Sequence, residues 1–374
     1  MFQHNNHQLT KNNFDLLRLL FALAVCLVHA YELSGFQQIG WVASILSSAV
    51  AVKAFFVVSG FLIFMSFERS SSFASYASKR IRRIYPAYFT AVMFCAILLV
   101  AVSSKNIEHY FSFAWVKYVL ANLAFLNFLQ PTLPGVFESN KLAAVNGALW
   151  TLKIEAMFYL TVPILVSLFR KYSRLPILVL VYCSSVAYAE LFAAAAQRTG
   201  SRVYLELGRQ FPGQLSYFMA GAALYYFLPL FERRIKYFLA GAALILAANI
   251  AFPLPLFEPF ALATVVVFFG IFLYVGNFGK HGDFSYGFYI LHFPIIQLFL
   301  HMGWFRESPW NFLVAVVLAT ATGAIAMWHL VEKRFLNRSS HYVAATTSPS
   351  ECAPLLCIPS FKKVQQLRDP DLGA

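Results

Sequence analysis

Arg18 and His29 lie inside the first apolar stretch of the chain, Phe14-Asp-Leu-Leu-Arg-Leu-Leu-Phe-Ala-Leu-Ala-Val-Cys-Leu-Val-His-Ala, with ten residues between them. Eleven steps of about 100° return an α-helix to nearly the same angle, so both side chains share one face, about 16 Å apart along the axis. A cation near one end of an apolar helix and an imidazole deep inside it cost several kcal/mol if they face lipid. Such groups turn toward a polar cavity, and the pair reads as a functional site. The imidazole suits a general base, because its unperturbed pKa near 6.5 lets it take a proton from a hydroxyl at neutral pH. A core histidine hydrogen-bonded to a neighbouring helix is the plainer alternative.

The elements that position this pair are membrane helices. The chain has 374 residues, of which 60% are hydrophobic, 17% aromatic and 12% charged, and its mean hydropathy is +0.65. A soluble chain of this length could not cover its surface with polar groups. Apolar runs long enough to cross roughly 30 Å of hydrocarbon number about ten, at 14–33, 41–67, 81–102, 149–169, 175–194, 211–230, 237–252, 260–275, 284–302 and 310–330. The expected fold is therefore an all-α polytopic bundle of about ten transmembrane helices. It has a short N-terminal segment (1–13), a membrane domain (14–335) and a Ser-, Thr- and Pro-rich tail (336–374) that composition marks as disordered.

Basic residues fall in alternate connections: Arg69 with Lys79, Arg80, Arg82 and Arg83; Arg170, Lys171 and Arg174; Arg233, Arg234 and Lys236; Lys333, Arg334 and Arg338. The positive-inside rule puts those connections and both termini in the cytoplasm, with the protein in the cytoplasmic (inner) membrane and the lipid bilayer as its solvent. The net charge of +13 is thus a topology signal. No nucleic-acid partner is expected, because these charges flank spans instead of forming a solvated basic face. Cys26, Cys95 and Cys183 behave as small hydrophobes within spans. The spacing of Cys352 and Cys357 matches no metal signature, and no metal is expected. The long connection 103–148 contains an aromatic stretch, 111–129, that reads as an interfacial or re-entrant helix. Phe111, Trp115 and Phe137 there are candidates for stacking on a ligand.

Several short strings combine aromatics, glycine and a lone ionisable group: Phe55-Phe-Val-Val-Ser-Gly-Phe-Leu-Ile63, Lys79-Arg-Ile-Arg-Arg-Ile-Tyr-Pro86, Trp150-Thr-Leu-Lys-Ile-Glu-Ala-Met-Phe-Tyr159, Ser285-Tyr-Gly-Phe-Tyr-Ile-Leu-His-Phe-Pro294 and Val331-Glu-Lys-Arg-Phe335. Their order and spacing, with Arg18 and His29, resemble the membrane-bound acyltransferase 3 family, which transfers acyl groups, usually acetyl, to hydroxyls of cell-surface sugars. The resemblance implies an acyl-CoA-dependent O-acyltransferase, with acetyl-CoA (acyl-CoA) as donor and a sugar or polysaccharide as acceptor. It implies that Arg18, Arg80, Arg82 and Arg83 bind the donor, which fits the bidentate pairing of arginine with phosphate oxygens. His29 is then the general base.

Glu155 is a further catalytic candidate: it could orient His29, pair with Arg18 or bind sugar hydroxyls, or else form a structural pair with Lys153. Trp150 and His292 are candidates for substrate contact, and Glu332 for an ion pair with the basic cluster. Arg334 stands where the family commonly has proline. Ser59 with Gly60 fits close helix packing better than a nucleophile. A multi-span transporter or exporter is the rival reading, since intramembrane Arg, His and Glu also line permeation pathways. The two halves of the chain, however, show no self-similarity. A non-enzymatic scaffold would leave the Arg18 and His29 pairing unexplained.

Overall fold

The computed structural model describes residues 11–336, which fold entirely as helices and connecting turns. Residues 1–10 and the tail from 337, with Cys352 and Cys357, lie outside the described residues. The longer helices are α1 (Phe14–Ser34), α2 (Ser48–Glu68), α3 (Phe73–Leu98), α4 (Phe113–Leu123), α5 (Trp150–Lys171), α6 (Arg174–Thr199), α7 (Phe211–Tyr226), α8 (Ile235–Ala251), α9 (Glu258–Ile271), α10 (Ser285–Met302) and α11 (Pro309–Met327).

Among the described residues, six segments are long and apolar enough to cross a membrane: Phe14–Ser34, Gln37–Glu68, Phe73–Val102, Gly147–Lys171, Arg174–Thr199 and Pro309–Phe335. The sequence count of ten is larger because α7, α8 and α9 run only 16, 17 and 14 residues, while α10, at 18 residues, is diluted by Gln297, two histidines and two tyrosines. At about 1.5 Å per residue, the shortest falls well under the roughly 30 Å of a hydrocarbon core. Proline and glycine cut these runs short: Pro253 and Pro255 follow α8, and Gly276 follows α9.

Two helix starts differ from the hydropathy reading, each for a capping reason. The expected span 41–67 breaks at extended Leu46, and a new helix starts where Ser47 Oγ accepts from the Val50 N–H. The span expected from residue 81 begins at Phe73, where Ser72 Oγ accepts from the Ser75 N–H. Hydropathy starts a span where charge stops, whereas arginine and lysine are good helix formers and a serine cap sets the true start. Arg80, Arg82 and Arg83 therefore ride on α3 itself.

Contacts gather one set of helix ends at a single basic end of the bundle. Asn13, just before α1, donates its N–H to Gly270 O at 2.7 Å and its Nδ2 to Phe269 O at 3.0 Å, covering carbonyls that α9 leaves open at its C-terminus. At the ends of α2, α5 and α7, Glu68 meets Arg170 at 3.8 Å and accepts from Tyr226 Oη at 2.9 Å. The starts of α1 and α10 and the first half of α3 meet the end of α11 through the charged network described below.

The 103–148 connection folds onto the rest of the chain. Helix α4 is shorter than the 111–129 stretch and is tied to α3: Tyr88 Oη donates to Asn122 O at 2.6 Å, and Trp115 Nε1 to Ala96 O at 2.7 Å. Phe137 is fully buried and cannot serve as a surface platform, while Phe111 is exposed. Beyond α4 the chain is pinned to α10, where buried Gln297 donates to Ala144 O at 2.8 Å and Ile290 O accepts from Asn146 Nδ2 at 2.8 Å.

Helices α2 and α7 pack backbone against backbone in the bundle core. A Cβ added at Gly60 would lie 1.9 Å from Phe218 O, and one at Gly221 would lie 2.1 Å from Val57 O. Gly60 is thus a packing residue, whereas Ser59 beside it faces a cavity. Gly60→Ala and Gly221→Ala must push the helices apart, at a cost of at least about 1–3 kcal/mol. Gly241→Ala on α8, which meets nothing within 4 Å, removes a weak helix former without a clash. Thermal unfolding in detergent should show the first two melting lower than the parent and the third unchanged or higher. Equal melting of all three would refute the close α2–α7 packing.

Candidate active site

Arg18 and His29 both face α10 or the residues just before it. Arg18 Nη2 lies 2.8 Å from Asp283 Oδ2, and His29 Nδ1 lies 2.9 Å from His292 Nε2. Helices α1 and α10 therefore run in the same direction, paired near their starts by an ion pair and further along by the two imidazoles.

At the basic end, Asp283 is the centre of a charged network. Its Oδ2 also pairs with Arg83, Arg18 pairs in addition with Asp15, and Arg83 Nη1 lies 3.3 Å from Glu332 Oε2. Asp283 is 2% exposed. Burial alone would raise its pKa, but the guanidinium groups of Arg18 and Arg83, with hydrogen bonds from Ser285, hold it below the usual carboxylate range. Glu332 reaches the network from a π-helical turn, Trp328–Glu332, that ends α11, and such turns re-aim side chains at functional sites. Glu332 thus pairs with the basic cluster as its sequence position suggests, whereas Asp283 is not among the candidates that the sequence offers. The available signal was an acidic residue immediately before an apolar helical run, where it accepts from the Ser285 N–H at 3.1 Å.

A cavity of about 670 Å³ opens beside this network, walled by α1, α2, α3, α5 and α10. Arg18, Arg80, Arg82 and Arg83 all line it, as do Arg69 and Lys79, which the sequence suggested only as topology signals. Arg80 Nη2 donates to Ser66 Oγ at 3.1 Å, and its guanidinium lies 5.7 Å from the centre of the Tyr159 ring. Among the described residues Arg80 and Arg82 have no carboxylate at ion-pair distance, whereas Arg18 and Arg83 are largely neutralised by Asp15, Asp283 and Glu332. The capacity to hold an added anion therefore rests chiefly on Arg80 and Arg82, with Arg69 and Lys79.

Helix α5 contributes a polar stripe, Thr151, Glu155 and Tyr159, spaced by four so that all three line the cavity. Glu155 is not beside His29: its Oε1 accepts from Tyr159 Oη at 2.6 Å. Nor does it pair with Lys153, which donates to Gln210 and sits over the Phe128 ring. Trp150 packs half-buried against the apolar core, outside the cavity lining, while its neighbour Thr151 lines it.

His29 and His292 lie just beyond the end of the cavity away from the arginines. Tyr289, which lines the cavity, sets its ring 5.6 Å from that of His292. His292 is fully buried, so it contacts His29 and Tyr289 instead of facing the cavity. His292 Nδ1 lies 2.6 Å from Tyr289 O. A carbonyl only accepts, so this nitrogen carries the proton and the Nε2 of the neutral ring is bare. Bare Nε2 then accepts from His29 Nδ1–H, and the ring centres, 5.2 Å apart with planes 21° from parallel, are compatible with a head-to-head N–H···N bond. His29 Nε2 therefore keeps a lone pair in the neutral ring. Phe293 stands edge-on to His29 at 5.6 Å.

The acyltransferase 3 family pattern, described as an acyltransferase domain, matches residues 11–329. The chain is 28% identical over 372 residues to nodulation protein 10 of Rhizobium leguminosarum bv. viciae, covering 90% of this chain and 96% of that protein. It is 27% identical over 343 residues to an O-acetyl transferase of Shigella phage Sf6, covering 88% and 97%. It is also 27% identical over 173 residues to acyltransferase MdmB of Streptomyces mycarofaciens, covering 45% and 42%. No solved structure matches the chain. With the match running across all of the helices that build the cavity and the histidine pair, the chain belongs to the acyltransferase 3 family.

Proposed function

We propose that this membrane protein is an O-acyltransferase that moves an acyl group, acetyl in the simplest case, from acyl-CoA to a hydroxyl of a cell-surface or exported sugar. The observation that carries the reading is one cavity with guanidinium groups at one end and, past a single tyrosine, an imidazole with a bare nitrogen at the other. The name of the phage relative, an O-acetyl transferase similar along nearly its whole length, supports acetyl and oxygen as the group and the acceptor atom.

In this reading all ten apolar helices sit in the cytoplasmic membrane, with both termini and the basic end in the cytoplasm, where acyl-CoA is made. The pyrophosphate and 3′-phosphate of the donor lie against Arg80 and Arg82, with Arg18 and Arg83 held in place behind them by Asp283. The thioester points along the cavity toward Tyr289. A sugar hydroxyl loses its proton to His29 Nε2 as its oxygen attacks the thioester carbonyl carbon. The thiolate then leaves and takes that proton back. Neutral His292 accepts the His29 Nδ1–H bond throughout, so the ring keeps its orientation as it charges.

Full-length protein in lipid nanodiscs, given radiolabelled acetyl-CoA and a panel of soluble oligosaccharides, should form labelled sugar ester. His29→Ala should lose transfer by about 10²–10⁴-fold while remaining inserted and monodisperse. His292→Phe, which leaves His29 Nδ1–H without its acceptor, should lower kcat by about 10²-fold with little change in the donor KM. Undiminished ester from His29→Ala would refute the base. Transport of sugar by the parent protein without donor, and no ester, would favour a permeation pathway. Arg80→Ala and Arg82→Ala should each raise the KM for acetyl-CoA about tenfold, equivalent to roughly 1.4 kcal/mol, with kcat nearly intact. The loss should shrink for a donor lacking the 3′-phosphate, and unchanged KM in both variants would remove the arginines from donor binding.

A further inference from the structure

Thr151 and Tyr289 bring two hydroxyl groups together where the cavity meets the histidine pair. Tyr289 Oη and Thr151 Oγ1 are 2.9 Å apart, both side chains are nearly enclosed at 6% and 5% exposure, and both line the cavity. Thr151 Oγ1 lies 3.1 Å from Ala148 O, which can only accept. Thr151 therefore spends its proton on that carbonyl, and Tyr289 Oη–H donates to Thr151. The tyrosine hydroxyl is thus held at the cavity wall by a neutral acceptor that can release it at little cost. Its ring is fixed by edge contacts to Phe55 at 5.5 Å and to His292 at 5.6 Å. Its own backbone carbonyl sets the His292 tautomer.

We infer that Tyr289 is a catalytic residue that donates its hydroxyl to the thioester carbonyl oxygen as that oxygen becomes an alkoxide, with Thr151 as the positioning residue that aims it. The inference rests on the acyl-transfer reading and extends it. When the acceptor oxygen bonds to the carbonyl carbon, its proton passes to His29 Nε2 and the π pair moves onto the carbonyl oxygen. Tyr289 Oη–H swings from Thr151 to that oxygen without transferring its proton. As the C=O re-forms, the C–S bond breaks, the thiolate takes the proton from His29, and Tyr289 returns to Thr151. One residue then serves both halves of the reaction: its carbonyl orders the base through His292, and its hydroxyl stabilises the charge the base helps to create. A donor aimed at developing oxyanion charge in a water-poor site is worth about 10²–10³-fold in rate.

The test uses full-length protein in nanodiscs with radiolabelled acetyl-CoA, soluble oligosaccharides and the thioether S-ethyl-CoA, which has no carbonyl oxygen. Tyr289→Phe should lower kcat by about 10²–10³-fold while binding S-ethyl-CoA as tightly as the parent, because the lost hydroxyl acts only on the carbonyl. Thr151→Val, which keeps the tyrosine but removes its rest position, should lower kcat by about tenfold with S-ethyl-CoA binding unchanged, and it decides the matter if Tyr289→Phe does not fold. Tyr289→Phe, or Thr151→Val in its place, turning over within threefold of the parent would overturn the inference and leave the acyl-transfer reading intact. A slow variant that also loses S-ethyl-CoA binding in proportion would overturn it in favour of a packing role. A folded parent that forms no ester would instead refute the underlying acyl-transfer reading.

Discussion

The proposed chemistry depends on one hydrogen-bond chain, which runs from the Tyr289 carbonyl oxygen through the His292 ring to His29 Nδ1. The bond from His292 back to a main-chain carbonyl on its own helix leaves that imidazole able only to accept at Nε2, and this fixes which nitrogen of His29 is bare. In the proposed mechanism this arrangement orients His29 without a carboxylate. It does need α1 and α10 in register, because a slip of one helical turn, about 5.4 Å, would carry His29 past His292. The Arg18–Asp283 ion pair at the other end of the same helix pair supplies that register.

The charged end follows from the cost of ionisable groups in an apolar bundle. Arg18 and Arg83 share one oxygen of Asp283, and Arg83 takes Glu332 as well, so the most enclosed guanidinium groups are neutralised locally. Removing Asp283 would leave two cations facing each other. Arg80 and Arg82 lack such partners among the described residues, and this division separates cations that hold the fold from cations that can hold a ligand. The polar stripe of α5 links the two regions, since Thr151 touches Tyr289 and Tyr159 lies under Arg80.

Much of this was legible in the sequence because it depends on helical periodicity. The ten-residue gap put Arg18 and His29 on one face, and both meet α10 or its lead-in. The basic motif supplied the arginines that line the cavity, and Glu332 pairs with Arg83 as its place beside the cluster suggested. What stayed hidden depends on contacts between distant segments. Nothing local tells that His292 faces another histidine or that Asp283 joins two arginines. The four-residue spacing of Thr151, Glu155 and Tyr159 is readable in the sequence, and it, unlike Trp150, marks the face that lines the cavity. The count of ten spans is met in part, by six long apolar segments among the described residues, because hydropathy measures apolar length, whereas proline, glycine and serine caps decide where a helix begins and ends.

The most direct test of the central claim is the protonation pattern of the His29 ring in the resting protein. Nitrogen-15 NMR of histidine-labelled full-length protein in nanodiscs, with His29 assigned by the signal lost in His29→Gln, distinguishes a protonated from a bare ring nitrogen. The hydrogen-bond chain requires His29 protonated at Nδ1 and bare at Nε2, with His292 in the same tautomer. A resting His29 protonated at Nε2, or on both nitrogens at neutral pH, would contradict its role as the waiting base.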